Sequence, residues 1–281
     1  MDGAGVVEET DPGETRLAPG QPVVLHAGIT CGRCEFCVRG DDVLCSAMQL
    51  LGEHRDGTFA EFVSLPARNV LPRPPHLDAA EAAALGVNHL TAWRMLFTQA
   101  RVRPGETVLV FGIGGGVSMA ALQLAKMAGA RVVVTSRDAA KLDIAATLGA
   151  DHGICSATQD VAKAVLAFTG GRGVDVVIEN VGAAVWSAAL KSLVRGGRLV
   201  TCGATSGDQP GADLRRLFIR QLQVFGSTLG NLAEFQALLN ACSATGLKPR
   251  IDRRFALADV HAALSLLDSQ QQAGKIALEI A

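Results

Sequence analysis

The sequence predicts an α/β chain in which a doubly wound parallel sheet is joined to a second, strand-rich domain. Three observations predict it: apolar strands alternating with helices from Glu106 to about residue 247, short strands and turns before residue 88, and a glycine-rich turn between the first alternating strand and its helix. Candidate strands lie at 107–111, 131–135, 152–154, 174–179, 197–203 and 222–227, and candidate helices at 116–128, 138–148, 158–169 and 183–194. Most of these strands are runs of Val, Ile and Leu with little polar alternation. That pattern belongs to strands buried on both faces, as in a parallel sheet covered by helices. Residues 1–87 read differently: "PVVLHAG", "GTFAEFVSLP" and "NVLPRPP" are short strand candidates punctuated by Gly and Pro. The helical connector "DAAEAAALGVNHLTAWRMLF" leads into the doubly wound domain, assigned to 88–247; residues 248–281 supply a strand, a helix and a final strand that return to the first domain.

Composition bounds the function. With 281 residues, 49% hydrophobic and 19% charged, the chain has material for two packed domains and is not a disordered polymer. Its 26 basic and 27 acidic residues leave a net charge of −1, without the basic bias of a nucleic-acid binder. The uncharged stretch from Thr107 to Ala125 is long enough for a membrane span, but glycines interrupt it and its β-branched start reads as a strand, so no membrane association is expected. Acidic residues follow Met1 where a secretion signal would be basic, so no secretion signal is expected. Four of the seven cysteines are clustered and three (Cys155, Cys202, Cys242) are scattered, which favours a metal site in a reducing cytoplasm over disulfides.

The stretch "TVLVFGIGGGVSMAALQLAKMAGARVVVTSR" is a strand, a turn, a helix and a second strand, close to the ~30-residue unit of a dinucleotide-binding fold. Gly112, Gly114, Gly115, Gly116 and Val117 would let backbone approach a pyrophosphate at a helix N-terminus, where free N–H groups and the helix dipole favour an anion. Domains that prefer NAD carry an acid at the tip of the second strand. Here the tip is Thr135-Ser136-Arg137, with Lys141 a turn further on, and Asp138 reads as a helix first-turn residue. The hydroxyl of Ser136 with the cations of Arg137 and Lys141 suits a 2′-phosphate, hence NADPH, with NADH as the alternative. Cys31, Cys34, Cys37 and Cys45 follow C-x2-C-x2-C-x7-C, which can close a tetrahedral shell around a structural zinc. Ferredoxin runs place the fourth Cys after three residues and follow it with Pro; here seven intervene and Ser46 follows.

These pieces, with "DGAGVVEE" (2–9), "LGEHRDGTFAEFV" (51–63), "LTAW" (90–93), "VIENVG" (177–182), "GGRLVTCG" (196–203) and "GKIALEI" (274–280), resemble the medium-chain dehydrogenase/reductases, the superfamily of zinc alcohol dehydrogenases and quinone oxidoreductases. The resemblance implies a GroES-like β-barrel catalytic domain around the cysteine lobe, a Rossmann coenzyme domain, an active site in the cleft between them, a small-molecule substrate, and homodimers or homotetramers. It also implies barrel strands upstream of Met1; a start assigned too far downstream is favoured over a genuine truncation. Where relatives carry a His-Glu pair serving a catalytic zinc, this chain has Met1 and Asp2, and a Cys ligand position falls on Val87. Neither Met nor Val replaces imidazole or thiolate on zinc. Ser118 stands where many relatives carry the last glycine of the turn. The expectation is therefore an NAD(P)H-dependent oxidoreductase that transfers hydride between the nicotinamide and a carbonyl, quinone or enone, or the corresponding alcohol, with a structural zinc and no catalytic one. The alternatives are a zinc-dependent alcohol dehydrogenase and a non-catalytic NADPH-binding relative. Asn88, His89 and Thr91 are the polar side chains expected beside the substrate, His89 as proton donor; Asn180, Cys202 and Gly203 are expected to line the nicotinamide pocket.

Overall fold

The computed structural model of the chain describes residues 1–280. Two compact units make it up: Met1–Leu90 together with the segment from Leu229 onward, and Thr91–Thr228. In chain order the first unit begins with β1 (Ala4–Val6), β2 (Pro22–Leu25), β3 (Gly28–Ile29), the short helix α1 (Glu35–Val38), β4 (Gln49–Leu50), β5 (Val70–Pro72) and α2 (Ala79–Ala83). The boundary falls within α3 (Leu90–Trp93), and the second runs on through β6 (Thr107–Val110), α4 (Gly116–Met127), β7 (Arg131–Ser136), α5 (Ala139–Thr147), β8 (His152–Cys155), α6 (Val161–Phe168), β9 (Val174–Glu179), α7 (Ala183–Ser192), β10 (Leu193–Thr201), α8 (Leu214–Arg220) and β11 (Gln223–Gly226). The chain then returns to the first unit through α9 (Leu232–Thr245), β12 (Ile251–Ala256), α10 (Val260–Asp268) and β13 (Lys275–Glu279).

The second unit is a six-stranded, wholly parallel sheet in the order β11-β10-β9-β6-β7-β8. Its central strands are apolar because both faces are covered: Val108, Leu109, Val110, Val132, Val133, Val134, Val176 and Val177 are all fully buried. The six candidate strands are all present. The helices start later than the sequence suggested where an aspartate caps them: Asp138 accepts from the Ala140 amide (2.9 Å) and Asp160 from that of Lys163 (3.0 Å), so each stands outside its helix. At the other boundary, α7 stops at Ser192 and β10 begins at Leu193, four residues before the expected 197. The Gly196-Gly197 pair shifts register between Leu193 and Arg198, which hides the early start of the strand.

The first unit carries the antiparallel sheet β1-β2-β5, the antiparallel pair β3-β4 and the parallel pair β12-β13. Helix α9 packs in this unit, whereas the sequence had run the coenzyme domain to residue 247. Its start is fixed by a capping box between Asn231 and Glu234. The buried His26 ring spans the Gly28 and Gly230 carbonyls, each at 3.0 Å, and the Asn231 amide donates to the Gly40 carbonyl (3.1 Å). These bonds tie the start of α9 to the cysteine lobe.

Candidate coenzyme and metal sites

In a doubly wound sheet, ligands lie outside the carboxyl ends of the strands where the strand order reverses. Here the reversal falls between β6 and β9, whose chain ends open into the 112–116 turn and the 180–182 turn. Gly112 (φ 65°) and Gly114 (φ 123°) occupy backbone conformations that side chains disfavour. Thr135, at the end of β7, braces this turn: its hydroxyl accepts from the Gly112 amide (3.1 Å) and its carbonyl from that of Ile113 (2.8 Å). Gly115 precedes α4 and Gly116 and Val117 form its first turn, so free amide groups face the same opening.

Ser118, the departure from the glycine pattern, has a positive role. It is buried, donates to the Phe111 carbonyl (2.8 Å) and accepts from the Asn180 side-chain amide (3.1 Å). The hydroxyl thus stitches the glycine turn to the end of β9, a contact that sequence spacing alone gave no means of foreseeing. Glu179 was also missed. Its buried carboxylate accepts from the Gly182 amide (2.6 Å), from the Val181 amide and from the Thr201 hydroxyl (2.9 Å), so it shapes the turn that carries Asn180. Gly203 lies so close to Asn180 that an added methyl would stand 2.8 Å from its carbonyl oxygen. Burial, reinforced by the Glu179 carboxylate, pushes the Cys202 thiol up to about 12, which suits a pocket wall and not a nucleophile.

At the tip of β7, Ser136 accepts from the Asp138 amide (3.0 Å), leaving its own O–H to donate, and Arg137 is exposed. Lys141 folds back over the turn: a methyl built on Gly114 would meet its Cδ at 2.7 Å and its Nζ at 3.2 Å. The Lys141 ammonium therefore lies over the glycine turn. Asn88 and His89 sit in a π-helical segment, Leu85–His89, and Thr91 in α3. Such wide turns recur at functional sites. His89 is buried, with Nδ1 3.1 Å from the Ala84 carbonyl.

The four Sγ atoms of Cys31, Cys34, Cys37 and Cys45 lie within 4.8 Å of one another. Tetrahedral zinc with ~2.3 Å bonds to sulfur requires edges of about 3.8 Å; Cys31–Cys37 at 3.9 Å and Cys34–Cys37 at 3.5 Å match it. All four cysteines are free of disulfides. Hydrogen bonds from the Arg33 and Cys34 amides hold the Cys31 thiol down to about 6, whereas burial raises that of Cys37 to about 11. The donor set fits a tetrahedral thiolate-bound ion. At the positions that the resemblance sets against catalytic zinc ligands, Met1 and Val87 offer neither imidazole nor thiolate, and Asp2 is a carboxylate ion-paired to Lys275 at 2.7 Å.

Residues 1–75 match the alcohol dehydrogenase GroES-like domain and residues 116–244 the zinc-binding dehydrogenase family. A crystal structure of an NAD-dependent alcohol dehydrogenase is 40% identical, superposes with a TM-score of 0.95, and is matched over 100% of this chain and 82% of that one. A zinc-type alcohol dehydrogenase-like protein of Schizosaccharomyces pombe is 32% identical over 99% of this chain and 81% of its own length. A 2-octenoyl-CoA carboxylase reductase, solved with NADP and 2-octenoyl-CoA, has a TM-score of 0.92 at 28% identity, over 99% of this chain and 67% of that one. No described helix is long and apolar enough to cross a membrane.

Proposed function

The chain belongs to the zinc-type medium-chain dehydrogenase/reductases and is an oxidoreductase of that family, and from that premise we propose that it is an NADPH-linked reductase of a carbonyl, quinone or activated double bond whose one metal is the structural zinc of the cysteine lobe. The observation that carries the reading is the glycine turn at the strand-order reversal, with Ser136, Arg137 and Lys141 gathered beside it and no acid at the β7 tip. Bound NADPH supplies the hydride. The chain supplies the rest. The amides at the start of α4 hold the pyrophosphate, and Ser136 and Arg137 hold the 2′-phosphate. Asn180, Cys202 and Gly203 wall the nicotinamide. On the substrate side, Asn88 and Thr91 offer polar groups for a developing oxyanion, and His89 is the proton donor.

Two measurements on one preparation test this reading. NADPH absorbance should fall with at least one member of a panel of quinones, enones and aldehydes, and metal analysis should return about one zinc per chain. About two zinc ions per chain would instead establish the zinc-dependent alcohol dehydrogenase. Saturable NADPH binding without turnover across the panel would leave a coenzyme-binding relative. The free thiols suit a cytoplasmic setting.

The lateral edge of the six-stranded sheet points to self-association. Strand β11 has a neighbour on one side only, and Val224 on it and Leu214, Phe218 and Ile219 on α8 are exposed. A second copy pairing along β11 across a two-fold axis would cover both the unpaired backbone and this apolar surface. Light scattering should give at least a dimer mass, and Val224→Lys should shift it to the monomer; a wild-type monomer at all concentrations would end this proposal.

A further inference from the structure

At the opposite rim of the same sheet, the amino ends of the strands surround a cleft that the coenzyme does not use. Strand β6 alone, four residues long, separates this rim from the glycine turn by roughly 13 Å. Two clefts of about 680 and 610 Å³ run together there, sharing Arg103, Glu106, Arg172 and Asp175. Arg195, Arg198 and Arg220 extend the lining at one end and Arg131 at the other.

Six arginines therefore meet two carboxylates in a chain whose net charge is −1. The carboxylates are already engaged: Glu106 pairs with Arg198, and Asp175 with Arg172 at 2.6 Å. Around them, Arg103, Arg195 and Arg220 have no carboxylate partner among the described residues. Arg195 spends one N–H on the Ile219 carbonyl (3.0 Å), and the buried Nε of Arg220 has no hydrogen-bond partner at all. The Arg220 guanidinium is held below its ordinary value by burial and then by the like charges of Arg216 and Arg195, a repulsion that a bound anion would relieve. Every cation of the lining is Arg and none is Lys. That choice favours planar, two-pronged recognition of phosphate oxygens over a loose counterion cloud. The cations are divided between two adjoining clefts, with Arg195, Arg198 and Arg220 lining only one and Arg131 only the other, so a chain of phosphates matches them better than a single one.

We propose that this amino-end cleft is a binding site for a small oligophosphate anion, separate from the coenzyme site. The ligand chemistry is a run of two or more phosphates, free or carried by a nucleotide. The test is calorimetric titration of the zinc-replete full chain, saturated with NADPH, using sodium tripolyphosphate in one arm and magnesium-free ATP in the other. Saturable binding of tripolyphosphate is expected. It should weaken at least tenfold in an Arg195→Gln/Arg220→Gln variant, and also in an Arg131→Gln variant at the far end of the groove, while the affinity for NADPH stays unchanged. Equal affinity in the two arms identifies the phosphate run as the whole ligand; tighter binding of ATP assigns the source to a nucleotide. The proposal is overturned if tripolyphosphate fails to bind the NADPH-saturated chain, if both variants bind it as the wild type does, or if only RNA or anionic vesicles bind.

Discussion

Removing the thiolate-held metal is expected to unfold the 31–45 lobe and leave the coenzyme unit folded. The lobe has almost no core of its own. No residue of α1 is buried, Val38 is 75% exposed, and Val43 is the one apolar side chain of the adjoining turn that is buried. A four-residue helix is far below the length that sustains itself in water. What closes the lobe is the tetrahedron of Cys31, Cys34, Cys37 and Cys45, and structural zinc in comparable small lobes contributes on the order of 10–16 kcal/mol of apparent binding energy. A strong chelator, or Cys45→Ser, should therefore release about one zinc per chain. Amide exchange should then rise across residues 28–50 while β6, β7 and β9 keep their protection. Acid should act in the same direction, because protons compete for thiolates that the ion must hold deprotonated. A lobe that stays protected from exchange after complete loss of zinc would show that packing, not metal, holds it.

How much was legible beforehand depended on how local the signal was. The parallel sheet could be read because each buried strand announces itself within four to six residues, as "TVLV" and "VDVVIE" do. The cysteine lobe could be read because all four ligands fall within fifteen residues and their spacing limits the geometry. Ser118 and Glu179 could not. Their roles depend on partners 62 and 22 residues away, Asn180 and Thr201, which only the sheet order brings together. The same holds for the amino-end cleft: Arg103, Arg172 and Arg195 are unremarkable surface cations in sequence, and they meet because three strands start at the same rim. Placing α9 was hard for a related reason. A helix following a strand of the sheet reads as another crossover, and only long-range bonds such as Asn231 to Gly40 and His26 to Gly230 assign it to the first unit.

Coenzyme choice should be separable residue by residue, because the proposed NADPH site sets Arg137 and Lys141, one helical turn apart, against different phosphates. Arg137 is exposed at the tip of β7, where only the 2′-phosphate of NADPH would reach it. Lys141 lies over Gly114, so its charge falls beside the bridging phosphates that NADH and NADPH share. Arg137→Ala should therefore lower kcat/KM for NADPH by about tenfold and leave NADH unaffected, since one charge-assisted bond at an exposed site is worth roughly 1.4 kcal/mol after screening. Lys141→Ala should weaken both coenzymes together. The larger effect comes from Ser136→Asp/Arg137→Ala. That pair removes a donor and a cation and sets a carboxylate where the ribose hydroxyl of NADH would hydrogen-bond and the 2′-phosphate would be repelled. A change of about 100-fold in the NADPH:NADH ratio is expected, roughly 2.7 kcal/mol. The backbone should tolerate the change, because Ser136 uses its side-chain oxygen only to accept from the Asp138 amide, and an aspartate oxygen can take that bond over. The relatives include an NAD-dependent alcohol dehydrogenase, so wild-type kinetics decide first. A wild-type preference for NADH of tenfold or more, or an Arg137→Ala variant that loses both coenzymes equally, would remove the 2′-phosphate from this site and the NADPH assignment with it.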